Sequence, residues 1–167
     1  MRVLVTVASR HGGTREIGAR VAERLRARGH DAEVLDPESV DSIDAYDAVV
    51  IGSAVYSAHW MPSAREFAQR FAAELLTRPV WLFSSGLATA PAAAANSPAE
   101  TLALIKAIDA NGHRAFGGQL DRGVLNFAER AIIAAARGKE GDHRDMSAVD
   151  EWADQIADQL GQQTTTA

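Results

Sequence analysis

Five short β-rich runs alternate with stretches of helical periodicity along the chain: Arg2–Ala8, Asp31–Leu35, Ala48–Gly52, Val80–Ser84 and Arg114–Gln119. Several are continuous apolar runs, such as Val49-Val50-Ile51, and a strand that is apolar on both faces must be covered on both. The intervening segments supply that cover. Thr14–Arg28 carries Ile17, Val21 and Leu25 on one stripe and stops at Gly29. A second helix starts at Pro62 and repeats Ala64, Phe67, Ala68, Phe71 and Leu75 at helical spacing. Ser97-Pro98-Ala99-Glu100 reads as a capping box with proline at the first helical position. Ser147-Ala148-Val149-Asp150 opens the last helix with a similar pattern, and its stripe is Val149, Trp152, Ala153, Ile156 and Leu160. Asp36–Asp47, between the second and third runs, reads as a short helix or a turn. Alternating β and α elements predict a parallel sheet with helices on both faces. The expected fold class is therefore α/β, a doubly wound five-stranded parallel sheet of order 2-1-3-4-5. Such sheets bind ligands beyond the carboxyl ends of the strands, near the switch point between strands 1 and 3. The loops after strands 1, 3, 4 and 5 are the ones to read for function.

Composition narrows the chemistry. A chain of 167 residues makes one domain the expectation, here residues 1–161 followed by a polar tail, 162–167, expected to fray. Cysteine is absent, which removes disulfides, thiol catalysis, thiolate zinc and iron–sulfur clusters. Redox chemistry in this chain requires a bound organic cofactor. Lys+Arg number 17 against 22 Asp+Glu, a net charge of −5 that argues against nonspecific nucleic-acid binding. The five histidines are scattered and show no metal spacing. No apolar run approaches the ~18 residues of a membrane span, and Met1–Ala8 is too short for a signal-peptide core, so a cytoplasmic location is the expectation.

The loop after strand 1 reads Ser9-Arg10-His11-Gly12-Gly13-Thr14, leaving a strand and entering a helix. Its glycines let backbone fold tightly around an anion, and the free N–H groups of the helix start carry partial positive charge. Ser9 and Thr14 add hydroxyl donors. The segment has neither the Gly-Lys-Ser/Thr ending of a triphosphate loop nor the dinucleotide pattern G-x-G-x-x-G. It suits a terminal phosphate monoester; a plain turn and helix cap is the competing reading.

The pattern Ser9-x-x-Gly12-x-Thr14, followed by Val21, resembles the phosphate loop of flavodoxins, which grips the phosphate of FMN. Two positions depart from the family pattern: Val7 stands where an aromatic is usual, and Gly18 where alanine is usual. Strand number, order and length also agree with a flavodoxin-like fold. A closer resemblance is to menaquinone-dependent protoporphyrinogen dehydrogenases and related short flavodoxin-domain proteins. It rests on Val50–Trp60, on Arg65-Glu66-Phe67, on Gly141-Asp142-His143-Arg144-Asp145 before Trp152, and on an extra segment after strand 5, here Leu120–Arg137.

The resemblance implies noncovalent FMN and a set of contacts. The phosphate would sit on Ser9, Arg10, His11, Gly12, Gly13 and Thr14. The flat ring needs stacking surface and polar edge contacts, which the loop after strand 3 would offer through Ser53, Ala54, Val55, Tyr56, Ser57, His59 and Trp60. Either Tyr56 or Trp60 is the stacking residue, and His59 is a possible donor near the reactive edge or a surface residue. The branch has a glycine where this chain has Ala58. The loop after strand 4 would add Ser84, Ser85, Gly86 and Leu87; it lacks the tyrosine that many flavodoxins put over the outer ring face, so either the ring is covered on one side only or Leu87 takes that role. Gly118 after strand 5 allows close backbone approach, as contact or as plain turn. No catalytic residue and no metal ligand is assigned. The expected function is a flavin redox protein, an electron carrier or an oxidoreductase. Its partners would be a redox protein or a quinone- or porphyrin-like small molecule, with peripheral membrane contact possible. A fold-only binding module without activity, or a deazaflavin protein, are the alternatives.

Three further readings concern packing. The helical segment Val124–Arg137 puts Val124, Ala128, Ala131 and Ala135 on one side and Asn126, Arg130 and Arg137 on the other, with Ile133 among them; it reads as a wedged helix or a docking surface. Arg15, Arg20, Arg24, Arg26 and Arg28, with Glu16 and Glu23, read as a solvated face with i,i+4 pairing. Trp81 reads as core, and His143-Arg144-Asp145 as a polar loop orienting the neighbouring helix.

Overall fold

A computed structural model describes residues 1–56, 59–86, 99–120, 141–142 and 144–166. The five long strands are β1 (Arg2–Ala8), β2 (Asp31–Leu35), β3 (Ala48–Tyr56), β5 (Val80–Gly86) and β6 (Gly112–Gly117). They pair in the order β2-β1-β3-β5-β6, every pair parallel. Counted over these five, the expected 2-1-3-4-5 order holds. β4 (His59–Trp60) is a two-residue antiparallel return on the end of β3. β7 (Gln119–Leu120) and β8 (Gly141–Asp142) form a separate antiparallel pair.

The strands alternate between two cores, which is why they read as unbroken apolar runs. On one face Val3, Val5, Val7, Val50, Trp81 and Phe83 meet α1 (Gly13–Ala27) and α5 (Met146–Thr166). Ile17, Val21 and Leu25 of α1 are all 0% exposed, and a side chain of this size contributes about 1.5–3 kcal/mol when fully buried. Trp81 is core, as expected. Trp152 closes this face with its ring 5.9 Å from Phe83 and 5.6 Å from Phe116, both edge-on. On the other face Leu4, Val49, Ile51 and Leu82 meet α2 (Pro62–Arg70) and α3 (Ala72–Leu75), with Ile108 of α4 (Ala99–Ile108) beside them. The predicted second helix breaks at Phe71, which leaves the helical region at φ −104°.

Several boundaries move. β3 continues to Tyr56 and β5 to Gly86, because Ser53↔Ser84 and Ala54↔Ser85 extend the parallel ladder. Ser53–Tyr56 and Ser84–Gly86 are thus strand rather than loop. β6 begins and ends two residues before its expected range. Asp36–Asp47 holds one 3-10 turn, Pro37–Ser39. The last helix starts at Met146, and its cap is Asp145, whose Oδ1 accepts from the Ala148 N–H at 3.1 Å. Ser147 is therefore inside the helix, and Asp150 is freed for other work. The polar tail expected to fray is helical through Thr166, with the hydroxyls of Thr164, Thr165 and Thr166 donating to carbonyls four residues back. Ser97 and Pro98 of the expected capping box, and the segment Val124–Arg137, lie outside the described residues.

The arginines of α1 are not chiefly paired within their own helix. Arg20 donates to Asp150 through Nε at 2.6 Å and through a terminal nitrogen at 2.8 Å. Arg24 reaches Asp154 at 2.6 Å, and Arg28 reaches Asp154 at 3.3 Å and also Asp158. Two i,i+4 series on helices that run in the same direction face one another, so a pattern that reads as a solvated face zips α1 to α5.

Candidate functional site

β1 delivers the chain to the carboxyl edge of the sheet, and Gly12 turns it into α1. Gly12 holds φ +86°, the left-handed region, with nothing within 4 Å of where a Cβ would stand. Among the described residues no side chain caps α1. The leading N–H groups of a helix have no intrahelical acceptor, so the edge of the loop presents backbone donors and the positive end of the helix dipole. Ser9 Oγ accepts from the Gly12 N–H at 3.1 Å and shapes the turn. An accepting hydroxyl retains its own hydrogen to donate. Thr14 is 6% exposed, while Arg10 and His11 are at the surface. The acidic group in the first turn, Glu16, would oppose an anion, but Arg144 pairs with it and donates to the Gly13 carbonyl at 3.3 Å. In the polar loop before α5, Asp145 thus caps α5 and Arg144 contacts α1, while His143 lies outside the described residues. These features fit a phosphate monoester.

The turn between β3 and β4 brings Tyr56 opposite His59 and Val55 opposite Trp60; Ser57 and Ala58 lie outside the described residues. The two candidate stacking aromatics differ. Trp60 is 1% exposed, and its indole N–H donates to Ser84 Oγ at 2.7 Å. Ser84 Oγ in turn lies 2.7 Å from His113 Nε2. Burial holds the His113 imidazole below its ordinary value. The Trp60 backbone N–H is bound by the Glu100 carboxylate. Tyr56 is only half-buried, with the Arg10 guanidinium 5.3 Å from its ring centroid.

Of the serines assigned to the cofactor by sequence, Ser53, Ser84 and Ser85 have their hydroxyls engaged in the scaffold. Ser53, 0% exposed, donates to the Ala54 carbonyl at 2.8 Å and accepts from the Met61 N–H at 2.9 Å, tying β3 to the start of α2. Ser85 donates to the Gly117 carbonyl at 3.3 Å. Ala54 and Val55 are buried in the end of β3. Gly118 is a place of close approach, but to Gly86: a Cβ there would meet the Gly86 carbonyl oxygen at 2.1 Å. Leu87 lies outside the described residues. Sequence reading did not single out Arg65, Glu100 or His113 as site groups. The Glu100 carboxylate lies 3.3 Å from His59 Nδ1 and 4.0 Å from Arg65.

Comparison with known proteins places these features in context. A family model described as a flavodoxin domain matches residues 4–147. Protoporphyrinogen IX dehydrogenase [quinone] of Escherichia coli strain K12 is 30% identical over 89 residues, which cover 52% of this chain and 49% of that protein. The match thus spans about half the length of this curated relative. A flavodoxin from the domain Archaea superposes with a TM-score of 0.68 at 13% identity, over 96% of this chain and 99% of that one. Rubredoxin oxygen:oxidoreductase of Desulfovibrio gigas superposes with a TM-score of 0.66 at 14% identity, over 96% of this chain and 36% of that one.

Proposed function

Because the chain belongs to the flavodoxin domain family, we propose that it binds FMN noncovalently at the carboxyl edge of the sheet and serves as a flavin redox protein. The observation that carries this reading is the α1 entrance: a left-handed Gly12, no side-chain cap, and a first-turn acid already paired to Arg144. Ser9–Thr14 would hold the phosphate, and Tyr56 would flank the ring. When bound, the flavin supplies the electron chemistry; the chain's own residues bind it, orient it and set what reaches it. With no cysteine in the chain, no thiol competes for that role.

Within that class the chain is read as an oxidoreductase with a quinone- or porphyrin-like partner, rather than a carrier alone. The partial match to the quinone-linked dehydrogenase favours this. No helix among the described residues is long and apolar enough to cross a membrane, so a lipid-dissolved acceptor would be met from the surface.

The deciding experiment titrates the apoprotein with FMN and with riboflavin, following flavin fluorescence. FMN should bind much more tightly. Thr14→Ala should weaken FMN binding by about 1.5–3 kcal/mol, the range for a hydrogen bond to a charged group, and leave riboflavin unaffected. Equal affinity for the two flavins would refute the phosphate loop.

A further inference from the structure

One carboxylate ties α4 to the β3–β4 turn. Glu100, in the first turn of α4, accepts the Trp60 backbone N–H on Oε1, and its Oε2 lies 3.3 Å from His59 Nδ1. Arg65 approaches the same Oε2 at 4.0 Å. His59 and Trp60 are consecutive, so the carboxylate is fixed against the backbone that carries the imidazole, and the ring orientation is fixed with it.

A carboxylate accepts hydrogen bonds and does not donate them. The hydrogen in the Glu100–His59 contact therefore belongs to the ring, and Nδ1 carries it. The bond made by one ring nitrogen decides the role of the other, so Nε2 is the nitrogen that gains and loses a proton. Among the described residues the ring has no further polar partner. Its side chain is 66% exposed, so a proton given up at Nε2 is replaced from solvent. Across the turn His59 pairs with Tyr56, and both border a cleft of about 340 Å³ together with Arg10 and Met61.

We propose that His59 Nε2 gives a proton to a quinone-like acceptor at this cleft, with Glu100 as the positioning residue that holds the ring for it. The inference rests on the flavin reading, in which Tyr56 flanks the ring and the bound reduced flavin supplies a hydride. The N–H bond at Nε2 breaks, an O–H bond forms on the acceptor, the flavin is oxidised and the acceptor leaves as its quinol. His59 remains as neutral imidazole with its Nδ1 hydrogen on Glu100, and solvent restores the proton at Nε2. The carboxylate holds the tautomer and offsets the charge of the imidazolium, which is the division of labour between a proton-transferring histidine and its acid.

Two measurements on the full chain test this. Nitrogen-15 correlation spectra of neutral His59 should show Nδ1 protonated, and E100Q should move the ring toward the Nε2–H form. The FMN-loaded chain is then photoreduced and mixed anaerobically with menadione, following flavin reoxidation. H59A should slow reoxidation about a hundredfold, and added imidazole should restore part of the loss. E100Q should slow it about tenfold, with no restoration by imidazole. A wild-type ring protonated on Nε2, an unchanged rate in H59A, or a loss in H59A that imidazole leaves untouched overturns the proposal. Where E100Q disturbs the fold, the wild-type tautomer and the imidazole rescue of H59A still decide it. A wild-type chain that takes up no FMN fails the flavin reading and the proton transfer with it, while the tautomer still decides the Glu100–His59 pair.

Discussion

Gly18 of α1 lies so close to Val7 of β1 that a Cβ on the glycine would stand 2.4 Å from Val7 Cγ2 and 3.5 Å from Val5 Cγ1. These are the two positions at which the chain departs from the flavodoxin phosphate-loop pattern, and the structure makes them a pair. Val7 is branched at Cβ and stiff about χ1, so it cannot swing aside; the glycine gives it room. The contact sets how closely the first turns of α1 approach the sheet, and the loop Ser9–Thr14 spans that gap.

Gly18→Ala should therefore destabilise the fold. Alanine is favoured in a helix interior by about 0.8–1.0 kcal/mol over glycine, but overpacking a tight core contact costs about 1–3 kcal/mol, and the second effect is the larger. A net loss of about 1 kcal/mol is expected by urea unfolding. Adding Val7→Ala should make Gly18→Ala stabilising in that background, which is a coupling a double-mutant cycle measures. A more stable Gly18→Ala single variant would show that the close approach is not enforced.

Ser84→Ala should cost about 1–3 kcal/mol, because it leaves the Trp60 indole N–H and His113 Nε2 buried without their shared partner. The Trp60 contribution to fluorescence should change with it. Ser84→Thr, which keeps the hydroxyl, should behave differently from alanine in the same denaturation assay. Equal stability of wild type and Ser84→Ala would mean that the serine does not tie strand to hairpin.

Stability should fall in two pH windows with different origins. His113 and His30 are both held below the ordinary 6.5, chiefly by burial. For a group depressed in the folded state, the unfolded chain binds the proton more readily, so stability is intact above the unfolded value and falls as pH drops below about 6.5. Asp150 and Asp154 are also depressed, first by hydrogen bonds from Arg20 and Arg24. Their contribution is present above the unfolded value of 3.8 and is lost as pH falls through the folded ones. Thermal melts should therefore show a shallow loss from pH 7 to 5, reduced in His113→Gln, and a further loss below pH 4, reduced in Asp150→Asn. The charge zipper is partly solvent-exposed and should weaken with salt. An acid limb identical in wild type and Asp150→Asn would remove Arg20–Asp150 as its source.

The fold was legible because parallel strands covered on both faces write continuous apolar runs, and the stripes Ile17-Val21-Leu25 and Val149-Trp152-Ile156-Leu160 have one period each. Partners across long separations were not legible. Arg20, Arg24 and Arg28 look like a solvated i,i+4 series from one helix alone; only the register of α5 brings Asp150, Asp154 and Asp158 against them. Glu100 fits a local capping pattern equally well as it fits its observed place under Trp60. Serines at strand ends look like ligand donors in sequence, and only the extension of β3 and β5 shows that Ser53 and Ser84 bond the scaffold. In the loop Ser9–Thr14 the decisive property is backbone conformation at Gly12, which glycine does announce in sequence.

The two aromatics of the β3–β4 turn give the sharpest test of the site. Sequence alone treats Tyr56 and Trp60 as equivalent candidates for the flavin ring. Trp60 is buried, and both of its N–H groups are engaged, by Ser84 and by Glu100; Tyr56 is half-buried at the strand end, beside Arg10. Moving Trp60 onto a ring would break two hydrogen bonds and empty a core position, whereas Tyr56 already stands half-buried at the strand end. Tyr56→Leu should thus shift the absorption of bound FMN and weaken its binding by about 0.5–1.5 kcal/mol, the range for an aromatic pair, with little change in fold stability. Trp60→Phe should do the reverse: a loss of about 1–3 kcal/mol in unfolding free energy, because the buried Ser84 Oγ loses its indole donor while keeping its contact with His113, with the flavin spectrum close to that of wild type. Paired FMN titrations and urea melts on the two variants read both effects. A spectrum altered by Trp60→Phe and untouched by Tyr56→Leu would mean that the hairpin opens to bind the ring, with the indole leaving the core to meet it.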